Sequence, residues 1–317
     1  MRAQMTALPV RAGWRQRALL HWRMTRPAFL SITLSACLLG IASAAAGGSG
    51  LDAPAALATL LLACAAHAGA NVCNDYHDAR NGADAANHGA LHPFTGGARL
   101  IQQGLVSEAD TRRWAALLLA LVALAGLALA ARAGAGLLPL GAAGLLLAWA
   151  YSAPPLKLMS RGLGELTVAA AWWGVVLGAD YAQRGRFDAA PASLGFGLAL
   201  LVACILLING VPDAAADARV GKRTLAVRLG ARGTTRLYAG LALLAHGWLA
   251  GSVWRHGAPA AAAWGLLSLP LSLAAAWLLW RHGATPARLR PAIGLTIAAA
   301  NLHGLALAAA LAWTATR

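Results

Sequence analysis

The run NVCNDYHDARNGAD, from Asn71 to Asp84, closes an apolar segment that begins near residue 54. A second run, NGVPDAAAD from Asn209 to Asp217, closes another that begins near residue 193. The chain has only 11 Asp and Glu residues, and five of them stand in these two runs: Asp75, Asp78, Asp84, Asp213 and Asp217. Carboxylates beside hydrocarbon are costly and mark function by default. Residues three and four apart share a helix face. Asn71, Asn74, Asp75 and Asp78 therefore form one polar stripe, and Asn209, Asp213 and Asp217 another. Facing each other, the stripes would make a cage of oxygen atoms. Such donors suit Mg²⁺, which binds through a few carboxylates and the phosphates of a substrate. Gly82 offers a turn that returns Asp84 to the cage.

The surrounding composition decides the fold class. The chain is 59% hydrophobic and 12% charged, which points to a polytopic membrane protein. At about 20 apolar residues per crossing, spans are expected near 27–47, 54–75, 114–131, 136–151, 162–181, 193–211, 236–254, 259–280 and 291–313. The expected architecture is an all-α membrane bundle of about nine transmembrane helices around a central cavity open to the cytoplasmic side. Residues 1–26 read as a cytoplasmic N-terminal tail, and residues 27–317 as a single transmembrane domain. Pro154, Pro155 and Pro212 are expected to stop or kink helices at the cytoplasmic ends.

Basic residues set the orientation. Of 26 Lys and Arg residues, only Arg132, Arg184, Arg186, Arg255 and Arg317 fall in the alternate connections and at the C-terminus. The N-terminus and both acidic runs are therefore expected in the cytoplasm, in a bacterial-type inner membrane. The net charge of +15 follows from this rule, is spread along loops, and implies no nucleic acid. Nothing implies an obligate protein partner. Cys37, Cys64, Cys73 and Cys204 have neither metal-finger spacing nor a disulfide pattern and read as small core residues. The basic N-terminus lacks a good cleavage site and reads as retained.

One Asp at a helix end would be an ordinary cap. Two matching stripes on one membrane side, in so acid-poor a chain, argue for a site, with Asp78, Asp213 and Asp217 as its catalytic candidates. Asp75 could instead orient its neighbours. Basic residues would complete a diphosphate site. Lys222 and Arg223 follow the second stripe directly. Arg99, Lys157 and Arg161 lie in the other cytoplasmic loops, where orientation alone explains most arginines. Asn74 and Asn209 join the substrate-binding candidates from within the stripes. Tyr151, Trp172, Trp173 and Tyr181 are candidates for an aromatic pocket or for interfacial anchoring. His67 reads as a packed, hydrogen-bonded residue, and Asp180 as solvated near the outer end of its span.

Asn74, Asp75, Asp78 and Asp84, taken with Asp213 and Asp217, resemble the paired NDxxD and DxxxD motifs of the UbiA-type membrane prenyltransferases. NDYHDARNGAD, GKRTLAVRLG (Gly221 to Gly230), YSAPPLKL and RGLGE (Tyr151 to Glu165) resemble the 1,4-dihydroxy-2-naphthoate branch. Gly210 and Pro212 depart from it, where naphthoate-type members often carry Asn and Arg. The resemblance implies a membrane enzyme in which Mg²⁺, held by Asp75, Asp78, Asp84, Asp213 and Asp217, and basic side chains neutralise a polyprenyl diphosphate. An aromatic acceptor then takes the allylic group, in menaquinone or, with 4-hydroxybenzoate, ubiquinone biosynthesis. The Gly-containing loop from Asn81 to Gly104 is expected to act as a lid. A cation-coupled transporter is the reading from another class; it would hold its carboxylates near the bilayer midplane. A phosphatidyl-group transferase would carry a DG-containing acidic run, which is absent.

Overall fold

Eleven α-helices in chain order make up the computed structural model, which describes residues 13–255 and 257–316. They are α1 (Trp14–Met24), α2 (Leu30–Ala46), α3 (Ala53–Asn81), α4 (Ala83–Ala86), α5 (Glu108–Ala133), α6 (Leu137–Ala150), α7 (Gly164–Arg184), α8 (Ala189–Arg219), α9 (Leu225–Trp254), α10 (Leu269–His282) and α11 (Arg290–Ala315). Short 3-10 turns precede α2, α7, α10 and α11. No strand occurs among the described residues.

Local chemistry sets several helix starts. Asp52 accepts a hydrogen bond from the Ala55 N–H at 3.1 Å, and Ser107 from the Asp110 N–H at 3.0 Å. Thr224 caps α9 through the Val227 N–H at 3.4 Å. Each bond satisfies one of the orphan donors of a first turn.

Among the described residues, seven helices are long and apolar enough to cross a membrane, spanning Pro27–Ala46, Ala53–Asn81, Glu108–Ala133, Ala189–Arg219, Leu225–Trp254, Ala260–His282 and Arg290–Ala315. Of the other two expected spans, α6 has 14 residues, and the polar residues Glu165, Asp180, Gln183 and Arg184 keep α7 below the same hydropathy. Pro212 does not end its helix: α8 continues to Arg219. A proline inside a membrane helix loses one hydrogen bond but is tolerated where neighbouring groups satisfy the freed carbonyl. α3 likewise runs six residues beyond the expected end, so the first acidic stripe is helical throughout. Gly230, with φ 62° and ψ 178°, breaks the first turns of α9 from the rest.

α8 is the central element. Its most apolar stretch is 78% buried, against 11% for α5, so α5 lies at the rim. α8 packs on α7, α9 and α11, and α2 packs on both α7 and α11. The main core is built from α2, α7, α8, α9, α10 and α11, with Leu39, Leu198, Leu207, Ile208, Ile293 and Leu307 fully enclosed. Small side chains set the closest approach: Cys37, Ala56 and Ala179 meet where α2, α3 and α7 touch, as in lipid-embedded packing. The four cysteines are free, three of them buried. Of the expected N-terminal tail, residues 1–12 lie outside the described residues. The remainder contains α1 and ends at Arg26, which reaches the acidic residues of α3.

Candidate active site

The C-terminal end of α3 carries Asn74, Asp75 and Asp78, all buried. Asn74 is the hub of the stripe. Its Nδ2 donates to Asp78 Oδ2 and to Ser152 Oγ, both at 3.0 Å, and its Oδ1 accepts from Arg26 Nη2 at 3.2 Å. Asp75 pairs with Arg26 and accepts the Ala98 N–H at 3.2 Å. Gly82 has φ 83° and ends α3 in the left-handed conformation that suits glycine. The reversal buries Asp84 beside its two predecessors. Burial, then the nearby Asp78 and Asp75 carboxylates, push Asp84 up to about 8.

The second stripe lies on α8. Asp217 is buried, and Asp213 is half-buried beside it. The turn after α8 brings back Lys222, whose backbone N–H bonds the Asp217 carbonyl at 2.9 Å. Its ammonium donates to both oxygens of Asp78 at 3.1 Å and lies 3.2 Å from Asp217. Burial alone would pull this ammonium down, but Asp78 and Asp217 outweigh it and hold Lys222 above the ordinary lysine value. The two acidic runs thus meet across one lysine.

The loop between α4 and α5 closes over both runs. Asn87 Nδ2 donates to Asp213 Oδ1 at 2.6 Å, and the Gly96 N–H to Asp213 Oδ2 at 3.2 Å. Gln102 Nε2 reaches Asp84 at 3.4 Å. Gly97 has φ 72°, and a Cβ there would lie 2.9 Å from Asp75 Oδ1 and 3.0 Å from Asp84 Oδ2. Only glycine lets the backbone pass between those carboxylates.

Beside this polar end lies a cavity of 230 Å³. Arg26, Asn74 and Asn209 line it together with Tyr151, Trp172 and apolar residues such as Ile32 and Ile205. His67 also lines it, hydrogen-bonded to Thr33 at 2.8 Å and set edge-to-face against Trp172 at 4.7 Å.

Of the other sequence candidates, Arg99 adjoins the acidic cluster and the rest stand apart. Arg99 bonds the Asn87 carbonyl at 2.8 Å and shares a small recess with Asp75. Lys157 and Arg223 are exposed, and Arg161 is exposed and bonds the Pro155 carbonyl at 2.9 Å. None of these three pairs with a carboxylate of either run among the described residues. Trp173 is not a cavity residue; its indole bonds the Ala192 carbonyl at 2.8 Å near the surface. Tyr181 is buried at the far end of α7, its hydroxyl accepting the Gly136 N–H at 3.0 Å. Asp180 is not solvated: it is buried in an ion pair with Arg184 at 2.9 Å. Arg26, Asn87, Gln102 and Ser152 were not legible as site residues. Their only sequence signal was position, at the end of the basic tail or in loops beside the acidic runs.

The match to known families decides the class. The model of the UbiA prenyltransferase family fits residues 33–292. The chain belongs to the UbiA prenyltransferase family. This prenyltransferase is 33% identical to the 1,4-dihydroxy-2-naphthoate octaprenyltransferase of Mycobacterium tuberculosis, over 81% of this chain and 85% of the relative. It is 29% identical to the Escherichia coli protein of the same name, over 68% and 70%. The fold resembles that of a UbiA homolog from Aeropyrum pernix, with a TM-score of 0.60 and 18% identity over 87% of this chain and 97% of that one. It also resembles a UbiA homolog from Archaeoglobus fulgidus bound to DMAPP and Mg²⁺, with a TM-score of 0.58 and 18% identity over 91% and 99%. Family and apolar helices together make this an integral membrane enzyme.

The residues of the prenyltransferase fit a divalent cation, though not as a ready-made cage. Among the described residues, no three His, Cys, Asp or Glu side chains are set to hold an ion by themselves. Lys222 stands between Asp78 and Asp217, and Arg26 takes Asp75. Buried carboxylates need such partners. Three of the five carboxylates nonetheless share only two cations, and Asp84 and Asp213 take neutral donors; Mg²⁺ characteristically takes one or two carboxylates and completes its shell with phosphate oxygens and water.

Proposed function

We propose that this enzyme transfers a polyprenyl group from a polyprenyl diphosphate to an aromatic acceptor, preferentially 1,4-dihydroxy-2-naphthoate, in menaquinone biosynthesis. The observation that carries this reading is the bridge from Lys222 to Asp78 and Asp217, which gathers carboxylates and cations beside a largely apolar cavity. A diphosphate ester of a long hydrocarbon has that same division between a charged end and an apolar remainder. The names of the mycobacterial and enterobacterial relatives support the acceptor, and the Archaeoglobus homolog, bound to DMAPP and Mg²⁺, supports the donor and the ion.

In this reading Asp75, Asp78, Asp84, Asp213 and Asp217 would hold Mg²⁺, and Lys222, Arg26 and Arg99 would bind diphosphate oxygens. When bound, Mg²⁺ would supply positive charge that makes the diphosphate a better leaving group. Lys222 and Arg26 add fixed charge where negative charge grows as the allylic C–O bond breaks. The loop from Asn87 to Gln102 keeps water from the cationic carbon, and the cavity walls hold the acceptor ring against it. The chain acts as one transmembrane domain from residue 27 onward, crossing nine times, with its N-terminus and site on the cytoplasmic side. 4-Hydroxybenzoate is the second acceptor to test, because Gly210 and Pro212 depart from the naphthoate pattern.

The test is a panel. Purified enzyme, Mg²⁺ and one prenyl diphosphate are incubated with dihydroxynaphthoate or 4-hydroxybenzoate, and products are read by mass spectrometry. Prenylated naphthoquinol as the main product is expected. Exclusive use of 4-hydroxybenzoate would replace the acceptor, and no prenylated aromatic from either would end the reading.

A further inference from the structure

No Asp or Glu precedes Asp52, while Arg2, Arg11, Arg15, Arg17, Arg23 and Arg26 all do. Arg15, Arg17 and Arg23 are exposed on α1, and none of the three enters an ion pair among the described residues. α1 has 11 residues. At about 16 Å it is too short to cross hydrocarbon. It nonetheless leads straight into a span: Met24 ends α1, Pro27 begins the first crossing, and Arg26 turns the chain between them with φ 53°. α1 therefore sits at the level where a membrane begins.

Side chains four apart share a helix face, and α1 sorts its residues by that rule. Leu20 and Met24 pack inward against Val72, Leu100 and Leu118 or their neighbours in the same cluster. His21 meets the Trp114 ring edge-on at 5.0 Å. Trp14, Ala18 and Trp22 form an outward ridge, its indoles 76% and 56% exposed. Arg15, Leu19 and Arg23 form a second exposed ridge beside it, and the Arg15 guanidinium lies over the Trp14 ring at 5.4 Å. Tryptophan suits the membrane–water interface, and arginine suits phosphate oxygens. A short helix with both on its free side is built to lie in that interface. The absence of any carboxylate before Asp52 favours a surface of net negative charge over a zwitterionic one.

The end of α1 is fastened to the acidic stripe. Asn71 Nδ2 donates to the Thr25 carbonyl at 3.0 Å, and Arg26 pairs with Asp75. Asn71, the first residue of the stripe, thus ties α3 to α1. We propose that α1 binds anionic phospholipid at the membrane surface, Arg15 and Arg23 taking head-group phosphates while Trp14 and Trp22 enter the acyl boundary, and that this anchorage steadies Arg26 at Asp75. The anchorage stands on α1 alone; its effect on turnover rests on the transferase reading, in which Arg26 binds diphosphate.

The experiment places the full-length protein, one copy per disc, in nanodiscs of phosphatidylcholine alone or of phosphatidylcholine and phosphatidylglycerol in equal parts. Amide hydrogen exchange across α1 should be roughly fivefold slower in the anionic discs, the worth of one arginine at such a surface. Arg15→Gln combined with Arg23→Gln should abolish that difference and leave exchange in neutral discs as in wild type. With geranyl diphosphate as donor, the same variant should lower kcat/KM in anionic discs alone, by no more than the same factor. Equal wild-type exchange in the two discs overturns the proposal, and so does a variant that keeps the difference. A variant that exchanges faster in both discs alike also overturns it, since the arginines would then stabilise the helix itself. Slowing that needs two copies per disc would assign the surface to a second chain instead. An unmoved kcat/KM overturns the link to Arg26. Absence of prenylated product would end the transferase reading and leave the exchange results standing.

Discussion

Lys222 and Asp78 are 144 residues apart in sequence, yet the ammonium contacts both carboxylate oxygens at 3.1 Å. The same ammonium reaches Asp217 at 3.2 Å. Three charges removed from water therefore depend on one another, and the ends of α3 and α8 are tied through them. Breaking a buried ion pair from one side leaves an uncompensated charge, which costs about 3–5 kcal/mol. Lys222→Met should lower the thermal unfolding midpoint in detergent and abolish turnover. Adding Asp78→Asn to it should restore much of the midpoint but no activity. A double variant as unstable as the single one would show that the pair does not couple.

Among the described residues Asp213 takes no cation directly; it accepts from Asn87 Nδ2 and the Gly96 N–H, so it joins the loop to α8. Asp213→Asn should cut turnover roughly 10²–10³-fold, the scale of one preorganised electrostatic contact, with the fold retained. Near wild-type turnover at saturating Mg²⁺ would remove Asp213 from the catalytic set.

Gly97 passes between Asp75 and Asp84 with a left-handed backbone. Gly97→Ala adds a methyl group within 2.9 Å of Asp75 Oδ1 and about 1–2 kcal/mol of backbone strain. The carboxylates must separate to accommodate it. The Mg²⁺ concentration for half-maximal activity should rise about tenfold, as when the support of a metal ligand is lost. An unchanged Mg²⁺ requirement would argue that the Asp75–Asp84 spacing plays no part in holding the ion.

The Asp180–Arg184 pair supplies the contrast. It is buried at 2.9 Å, near the end of α7 remote from Thr167 and Val168, which line the cavity. Arg184→Met should cost about 3–5 kcal/mol of stability while kcat of the folded fraction holds. A fall in kcat with stability unchanged would mean that this end of α7 communicates with the site.

Much of this site is legible along the chain because its chemistry is local. Asn74, Asp75 and Asp78 fall on one helix face by spacing alone, and Asp213 and Asp217 on another, and carboxylates beside hydrocarbon are rare enough to stand out. Lys222 could be suspected because it follows the second stripe closely. Arg223, its neighbour, had the same claim on sequence grounds, yet the turn after α8 buries one and exposes the other. Arg26 offered no signal of its own in a tail full of arginines. Asn87 and Gln102 are ordinary loop residues until the loop folds back. Trp172 and Trp173 are indistinguishable as letters, and only the rotation of α7 turns the first toward the cavity and the second toward the surface.

Composition and periodicity by themselves determined that this chain is a helical membrane protein with two acidic stripes, because hydrocarbon forces helices and makes every charge within them conspicuous. Tertiary structure alone decided which cations meet those stripes, which loop covers them and which of two adjacent tryptophans lines a cavity. Those are contacts between residues far apart in the chain, fixed by how whole helices pack and rotate, and no local spacing encodes them.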